Sequence, residues 1–482
     1  MDFNRNDFLL CHSDKLKLEE STCIEIQDWQ FRSAAPFDLA RFQKNHCLLI
    51  GEVFSSRNLA ADRKEIAHEL SQCEDTDCFI ESLKHLTGRF VAIYFLDNSL
   101  NVFGDAMGQF EVYHNSDCDI ITSSLALFEQ TTAVKNHSGA KKALYDKIEK
   151  TTKIQIGYTT KYVGVFHLMP NHFVDSIQKE QLRYYPSLED LEEKATLEEG
   201  AKEIASQLLL YAKSIAKKKN LAIPVTGGND SRILLGAFRE HEFECFIFNH
   251  PDSNRALRDI GVAQKLLKSV NKELNIIHYR AELNDEGKNF YSVESRLPRV
   301  ESRTYIWNAY QKYLTNDYIL VGYGGEIGRS FFKNIKNVNA EMFAALMGYP
   351  GNVVVIEEMQ RWIDKIGSDL LSHENIMDWF YWEQRMGNWG ARLMTEVALV
   401  ADQISPMNSR SILETMLKVP KKYRQFTAND LTKEVIKNLN PILLEVPINP
   451  SLKYRIIRMM VKVGIYDFYQ NIRLRWIVKK HK

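Results

Sequence analysis

The residues best suited to do chemistry form one continuous segment, VTGGNDSR, at positions 225–232. Its two adjacent glycines allow the backbone to turn sharply and to approach a ligand closely. Thr226 and Ser231 contribute hydroxyl groups that donate hydrogen bonds, and the Asp230 carboxylate is a suitable ligand for Mg²⁺. Because the segment leads from an apolar strand into a helix, the free amides and the dipole at that helix start favour a bound phosphate.

A purely structural role for the same segment is the alternative to phosphate binding. A Gly-Gly-Asn-Asp turn capped by Asp or Ser would connect the strand to the helix without binding a ligand. The segment is not a Walker loop, because the pattern GxxxxGK[ST] occurs nowhere in the sequence. The surrounding elements bear on the choice between the two hypotheses.

From about residue 196, apolar strands alternate with helical stretches. Thr196 and Glu199 have the spacing of a capping box at the start of the first helix. The alternation predicts a doubly wound parallel sheet, and ligands of such sheets bind beyond the carboxyl ends of the strands. Residues 340–482 have a mainly helical pattern. The strands predicted are LAIPV (221–225), ECFIFNH (244–250), LNIIHY (274–279) and DYILVGYGG (317–325).

The N-terminal part of the chain has a different pattern. Short apolar runs bounded by turn residues, such as CLLIGEVF (47–54) and RFVAIYFL (89–96), predict strands. The polar and charged segment 178–200 indicates a strand end followed by a linker. We therefore predict two domains, residues 1–185 and residues 186–482.

The overall composition excludes several classes of protein. Hydrophobic residues make up 45% of the 482 positions and charged residues 26%, which excludes wholesale disorder. The 62 basic and 62 acidic residues balance, which argues against a polyelectrolyte for nucleic acid. We expect no transmembrane segment and no secretory signal. The seven cysteines lack CxxC spacing, so we expect reduced thiols in a cytoplasmic protein.

Two loops of the C-terminal half carry a resemblance to a known family. The segment 225–232 resembles the SGGxDS pyrophosphate loop of the asparagine synthetase family, with Thr226 in place of the leading serine. Gly322–Glu326 resembles the GEGxDE loop of that family, although Tyr323 and Ile327 replace two of its glutamates. These departures leave open whether the second loop still supports turnover.

The N-terminal half matches the same family in the correct order, and the similarity spans about residues 47–425. Each of these N-terminal matches is weak alone, and their order makes them persuasive together. The matching segments are Gly51-Glu52, Gly88–Ala92, Gly104–Gly108, Thr122–Ser124 and Leu168–His172.

The resemblance implies a two-domain α/β protein. Residues 1–185 would form an αββα sandwich of the Ntn-hydrolase type, as a degenerate class II glutamine amidotransferase domain. Residues 186–482 would form an ATP-pyrophosphatase domain of the adenine nucleotide α-hydrolase type, with a doubly wound parallel sheet and a helical extension.

The resemblance also implies ATP and Mg²⁺ as cofactors and assigns roles to residues. Asp230 and Glu326 would be catalytic residues and metal ligands, with solvated loop acids as the alternative. Lys453 would be the late lysine that steadies the transition state. For Arg232, pairing with a surface acid is the alternative to a phosphate contact. The nucleotide-binding residues implied are Thr226, Gly227, Gly228, Asn229, Asp230, Ser231, Arg232, Gly322, Gly324 and Gly325.

The glutaminase chemistry of that family depends on an N-terminal cysteine, which attacks the glutamine amide. This sequence begins Met1-Asp2, and Cys11 is followed by His12 where the family has glycine. Ile50 also stands where the family has an asparagine. We therefore expect the N-terminal domain to lack glutaminase activity.

The implied reaction is the adenylation of a carboxylate by ATP, with release of pyrophosphate, followed by attack of ammonia or an amine. The carboxylate substrate is open between a small molecule such as aspartate, a sugar acid and a peptide side chain. A nucleotide-binding regulator or scaffold without turnover is the alternative. A third hypothesis, thiolation or amidation of a tRNA base, is opposed by the N-terminal resemblance and the missing cysteine pairs.

Two further segments have open interpretations. Arg385, Trp389 and Arg392 could line a carboxylate pocket, or they could be a packed tryptophan with salt-bridged arginines. Residues 453–482 contain nine Lys or Arg and a single acid, Asp467. Such a basic segment can make a weak contact with an anionic membrane or nucleic acid. Docking on its own domain with solvated charges is the interpretation that we favour.

Overall fold

The computed structural model describes most of the chain. The described residues form two compact units, which we treat separately. Unit 1 contains residues 1–187, 288–302 and 383–399, and unit 2 contains residues 188–287, 303–382 and 400–482. The described residues are 3–16, 18, 23–96, 99–150, 155–218, 220–249, 254–278, 285–289, 310, 318–425, 429–448, 456–457, 459–461 and 463–481.

Unit 1 contains two antiparallel sheets, each with six strands among the described residues. The first sheet has the order β10-β8-β9-β1-β3-β2 and the second the order β12-β11-β7-β6-β5-β4. The strands are β1 Phe8–His12, β2 Ile24–Ile26, β3 Trp29–Ser33, β4 Phe37–Phe42, β5 Asn45–Ser55, β6 Leu86–Leu96, β7 Ser99–Gly104, β8 Tyr113–Asn115, β9 Ile120–Thr122, β10 Val165–His167, β11 His172–Asp175 and β12 Glu180–Arg183. The helices are α1 Arg63–Ser71, α2 Thr76–Leu83, α3 Leu125–Thr131 and α4 Gly139–Lys150.

The layers of unit 1 follow from the side-chain alternation along its strands. On β5, Leu48 and Ile50 point into the core between the two sheets. Cys47 and Leu49 point the other way and pack with apolar residues of α1 and α2. Since both faces of β5 are covered, its sequence is an almost continuous apolar run.

A helix also covers the outer face of the first sheet. Phe128 of α3 packs there with Leu9 of β1 and Ile120 of β9. The layers are therefore helix, sheet, sheet and helix, which is the αββα arrangement predicted from the sequence. The assignment of this arrangement to the Ntn-hydrolase type stays a prediction.

A segment distant in sequence completes unit 1 through buried ion pairs. Arg183 of β12 makes two bonds to the Glu383 carboxylate, at 2.5 and 2.8 Å, and Asn171 donates to the same carboxylate at 3.0 Å. Arg392 pairs with the buried Glu111 at 3.4 Å. This return of residues 383–399 to the first unit has no signal in the local sequence pattern.

The predicted carboxylate pocket around Arg385 is a packed cluster in the structure. The Arg385 guanidinium stacks over the Trp389 ring at 4.8 Å, and Arg392 lies between Glu111 and Glu396. The alternative of a packed tryptophan with a salt-bridged arginine is the arrangement that the structure shows. These residues lie on a π-helical segment, Tyr381–Gly390, and on the following helix α13, Ala391–Ala398.

Unit 2 is built on a parallel sheet of five described strands in the order β15-β14-β13-β16-β17. This confirms the parallel sheet predicted from the alternating pattern. The short β17 was not predicted, because two residues carry no periodic signal. The strands are β13 Leu221–Pro224, β14 Glu244–Asn249, β15 Asn275–His278, β16 Tyr318–Leu320 and β17 Gln403–Ile404.

The helices of unit 2 begin with α5, whose predicted capping box is present. Thr196 Oγ1 accepts from the Glu199 amide at 3.2 Å, and the Glu199 carboxylate accepts from the Thr196 amide at 3.0 Å. None of the helices in the described part of the chain combines the length and apolar character needed to cross a membrane. The helices are α5 Leu197–Ile215, α6 Asn229–Ala237, α7 Asn254–Ser269, α8 Asp285–Asn289, α9 Ala340–Leu346, α10 Val353–Ile366, α11 Ser368–Leu371, α12 Ile376–Phe380, α14 Arg410–Lys418, α15 Asp430–Leu439 and α16 Ile465–Lys480.

We predict that Arg183→Met lowers the free energy of unfolding of the full chain by about 3–5 kcal/mol, because it leaves the Glu383 carboxylate buried without a cation. Arg183→Met/Glu383→Gln should recover most of that loss, since a neutral amide still accepts the Asn171 hydrogen bond. Urea unfolding followed by circular dichroism measures both. A single variant within about 1 kcal/mol of the wild type would contradict this role.

Candidate functional site

The candidate site lies where two loops leave neighbouring parallel strands of unit 2. The first loop follows β13, and the second, residues 321–326, follows β16. The chain adds β14 and β15 on one side of β13 and later adds β16 and β17 on the other. The two loops therefore leave the sheet at its topological switch point, where ligands of open parallel sheets bind.

The hydroxyl groups of the first loop hold the loop in shape. The Thr226 amide donates to Ser231 Oγ at 2.9 Å, and the two hydroxyl oxygens are 3.2 Å apart. The Gly228 amide reaches Thr226 Oγ1 at 3.3 Å. A phosphate contact by either hydroxyl stays a prediction, and the observed bonds show that both hydroxyls already order the turn.

The first turn of α6 has no side-chain cap. Gly228 is the N-cap residue, with extended backbone angles, and it makes no side-chain hydrogen bond because it has no side chain. The amides at the start of this nine-residue helix therefore lack the acceptor that Ser, Thr, Asp or Asn would supply. Asn229 Oδ1 is buried beside them without a hydrogen-bond partner. Together these groups form a polar surface that a ligand can satisfy.

The Arg232 side chain supports this loop from behind. Its five N–H groups reach five backbone carbonyl oxygens at 2.8–3.3 Å. Burial lowers the pKa of Arg232 to about 10. A direct phosphate contact by Arg232 would have to replace one of these bonds, so the structure points to a positioning role. The five carbonyls belong to Gly227, Gly228, Leu443, Val446 and Pro447.

A cluster of two acids and one base joins the two loops. Arg329 Nη2 lies 2.9 Å from Asp230 Oδ1 and 3.0 Å from Glu326 Oε1. The structure thus brings together the two carboxylates that were predicted to share a site. The sequence reasoning missed Arg329, although its spacing of three residues from Glu326 is the spacing of an ion pair on a helix.

The charges of this cluster are strongly coupled. Burial raises the pKa of Asp230 to about 6, against the opposing effect of Arg329 and with a further increase from Glu326. Burial acts to lower the pKa of Arg329, but the Asp230 and Glu326 carboxylates outweigh it and raise that pKa. Perturbed groups of this kind concentrate at functional sites.

The glycines of the second loop allow it to approach the first. A Cβ atom on Gly322 would lie 2.4 Å from Asp230 Cβ, and one on Gly325 would lie 2.9 Å from Asp230 Oδ1. Gly324 has a φ of +107°, which an L-residue rarely adopts. These three residues were predicted to bind nucleotide, and the structure shows that they let the loops meet.

The two departures from the family loop have visible structural consequences. Ile327 is fully buried, so an apolar residue suits the position where the family has glutamate. The Tyr323 carbonyl accepts a hydrogen bond from Ser405 Oγ at 2.6 Å. This bond ties the second loop to the segment that follows β17.

The residues present fit a Mg²⁺ ion that is shared with a ligand. No group of three or more His, Cys, Asp or Glu side chains able to hold a metal exists among the described residues. Mg²⁺ commonly takes only one or two carboxylates and completes its shell with phosphate oxygens and water. Asp230 Oδ1 and Glu326 Oε2 are buried acceptors without a hydrogen-bond partner, so both have coordination capacity left.

Two other predicted residues lie away from this cluster. Lys453 is outside the described residues, as is the segment 250–252 that resembles the family. Cys11 lies within β1 and is completely buried. Burial, with smaller contributions from Cys23 and Asp119, raises the pKa of the Cys11 thiol to about 12. Such a thiol is protonated at neutral pH and is not an activated nucleophile.

Comparisons with known proteins give no family assignment. No family model matches the chain, and no curated protein matches it. Solved structures with some likeness include the U34-tRNA thiolase NcsA from Methanococcus maripaludis, at 13% identity and a TM-score of 0.24 over 59% of this chain and 80% of that one. The allosteric regulatory enzyme of purine biosynthesis has 13% identity and a TM-score of 0.25 over 60% and 72%. The glutamine-dependent NAD+ synthetase from Acinetobacter baumannii has 9% identity and a TM-score of 0.20 over 60% and 67%. Likenesses at these TM-scores carry no argument.

We predict that Gly322→Ala lowers the free energy of unfolding by about 1–3 kcal/mol, because the new methyl group overlaps the Asp230 side chain. Gly261→Ala on α7 is the matched control, since a Cβ there meets no atom within 4 Å. The control should be neutral or stabilising by up to about 1 kcal/mol. Denaturant unfolding measures both, and equal stabilities of the two variants would contradict the close approach.

We also predict that Arg232→Lys lowers the free energy of unfolding by about 2–4 kcal/mol. Lysine has three donors, so at least two of the five buried carbonyls would lose their partner. Arg361→Lys is the control, because Arg361 is half-exposed and pairs only with Glu358 in the printed contacts at 3.4 Å. Similar effects of the two substitutions in urea unfolding would show that the carbonyl bonds are unimportant.

Proposed function

We propose that this protein is an ATP-dependent carbon–nitrogen ligase of the asparagine-synthetase-like, AMP-forming type. The observation that carries the proposal is the pairing of two loops at the switch point of the parallel sheet. One loop ends in an uncapped helix start, which suits phosphate oxygens. The other brings Glu326 to Asp230, which suits a metal ion shared with those oxygens.

In the proposed reaction, a carboxylate oxygen of the substrate attacks the α-phosphorus of ATP. The bond between that phosphorus and the β-phosphate bridging oxygen breaks, so pyrophosphate leaves and an acyl-adenylate forms. The nitrogen of ammonia or an amine then attacks the acyl carbon. The carbon–oxygen bond to phosphate breaks, AMP leaves, and the nitrogen loses a proton to solvent.

The described residues would act mainly by positioning and charge compensation. The amides at the start of α6 would hold the phosphate chain, and Arg232 would keep the loop in the conformation that presents them. Asp230 and Glu326 would hold Mg²⁺, which neutralises phosphate charge when bound. Positioning and preorganised charge of this kind can account for most of the rate of such a reaction.

We propose that unit 1 does not supply ammonia by glutamine hydrolysis. The buried Cys11 thiol, with its raised pKa, supports this proposal. The amine partner would then be free ammonia or an amine substrate that reaches unit 2. A small acid, a sugar acid or a peptide carboxylate remains the proposed substrate class.

A nucleotide-binding regulator without turnover is the second candidate. The position of Arg329 favours it, because a guanidinium beside both Asp230 and Glu326 already supplies the positive charge that a metal ion would bring. The burial of Ile327 favours it too, since the loop has lost an acid of the family pattern.

We predict that the purified protein exchanges labelled pyrophosphate into ATP when its carboxylate substrate is present. Asp230→Asn and Glu326→Gln should each lower this exchange by about a hundredfold or more, as is typical when one preorganised group is removed. Asp364→Asn, an exposed acid on α10, is the control and should leave the exchange unchanged. A panel of small acids, sugar acids and peptides supplies the substrate.

Calorimetry with ATP separates the two candidate functions. Binding with exchange supports the ligase, and binding without exchange for any carboxylate of the panel supports the regulator. Release of ADP in place of AMP would contradict the AMP-forming reaction. Normal binding and exchange in Asp230→Asn would show that the site lies elsewhere.

A further inference from the structure

The last described helix, α16, exposes a continuous apolar stripe. With 3.6 residues per turn, five large apolar side chains lie within an arc of about 100° on one face. Their exposed fractions are about one half or more, whereas soluble proteins rarely expose contiguous apolar patches without a function. The five are Ile465 at 55%, Phe468 at 67%, Tyr469 at 49%, Ile472 at 52% and Trp476 at 60%.

The opposite face of the same helix is fastened to unit 2. Leu474 is buried there, and α16 packs on α9. Asn471 donates to the Asn334 carbonyl at 3.3 Å and accepts from the Lys336 amide at 3.2 Å. The helix therefore docks on its own domain, as the sequence favoured, but with one face only. The exposed stripe points away from these contacts.

Basic residues border the stripe on both sides. Arg475 and Lys479 lie along one edge and Arg473 and Lys480 along the other, and all four are exposed. Lys480 Nζ lies 5.3 Å from the centre of the Trp476 ring. Within α16, which is described throughout, the single acid Asp467 is turned about 200° from Ile465 and is partly buried.

We propose that this face binds the surface of an anionic lipid bilayer. Aromatic and aliphatic side chains would enter the boundary between head groups and acyl chains, and the flanking cations would pair with anionic head groups. Tryptophan and tyrosine are the residues that favour this boundary, because their rings are both apolar and polar. The proposal is independent of the ligase activity.

The charges on the page argue against two other occupants. A second copy of the chain, paired through the same face, would bring the four cations of each copy close together with no acid of α16 on that face to compensate. Nucleic acid would satisfy Arg473 and Arg475, but it would leave Ile465, Phe468 and Ile472 against charged phosphates. An anionic bilayer satisfies both the apolar stripe and its basic borders.

The test is flotation of the full chain with lipid vesicles. Vesicles of equimolar phosphatidylcholine and phosphatidylglycerol should carry the protein upward, and phosphatidylcholine alone should carry much less. Phe468→Ser/Trp476→Ser should lower binding more than about tenfold, because two large apolar groups no longer enter the lipid. Arg475→Gln/Lys479→Gln should lower binding to the anionic vesicles by about thirtyfold.

A matched control uses exposed apolar residues outside α16. Ile177→Ser/Leu188→Ser removes two side chains that are equally exposed, and it should leave flotation unchanged. Circular dichroism checks that every variant is folded. A blue shift of the fluorescence on adding vesicles should disappear in Trp476→Phe, while flotation persists.

Three outcomes would overturn the proposal. The first is a wild-type protein that does not float with the anionic vesicles, or a control variant that loses flotation as strongly as Phe468→Ser/Trp476→Ser. The second is a dimer in sedimentation that this variant converts to a monomer, with flotation unaffected. The third is binding to duplex DNA that depends on the stripe in the absence of any lipid effect.

Discussion

Two carboxylates on different loops share one guanidinium at the carboxyl edge of the parallel sheet, and the candidate site depends on this arrangement. Asp230 and Glu326 would repel each other if they were brought together alone. Arg329 lies within 3.0 Å of an oxygen of each and compensates their charge. Because the carboxylates are partly buried, the compensation is less screened than at the surface. The cluster can therefore hold two strand ends together and still leave carboxylate oxygens for a ligand.

The rest of the site follows from the close approach that this cluster requires. Gly322 and Gly325 have no side chain where the second loop touches Asp230, and Arg232 orders the first loop through backbone carbonyls. The helix start of α6 then presents its uncapped amides beside the acids. A ligand with phosphates would meet amides, hydroxyls and a pair of acids in one place. This combination supports the ligase proposal more than any single residue does.

The sequence was informative wherever structure depends on neighbouring residues. The capping box at Thr196, the alternation along β5 and the strand before the Gly-Gly turn were all visible as short patterns. It was uninformative where partners are distant. Arg329 was missed, since only the fold places it between Asp230 and Glu326. The membership of residues 383–399 in unit 1 was missed because the bond between Arg183 and Glu383 joins positions 200 residues apart.

The sequence by itself determined that unit 2 has a parallel sheet with a polar Gly-Gly turn at a helix start, since hydrogen-bonding groups and apolar periodicity are set within a few residues. It also showed that the last segment is basic and apolar. The tertiary structure alone decided which groups are buried or shared. It turned Arg232 toward carbonyls rather than solvent, and it placed Leu474 inside and Trp476 outside on one helix. Burial is decided by the surfaces that distant segments bring together, and no short stretch of sequence contains that information.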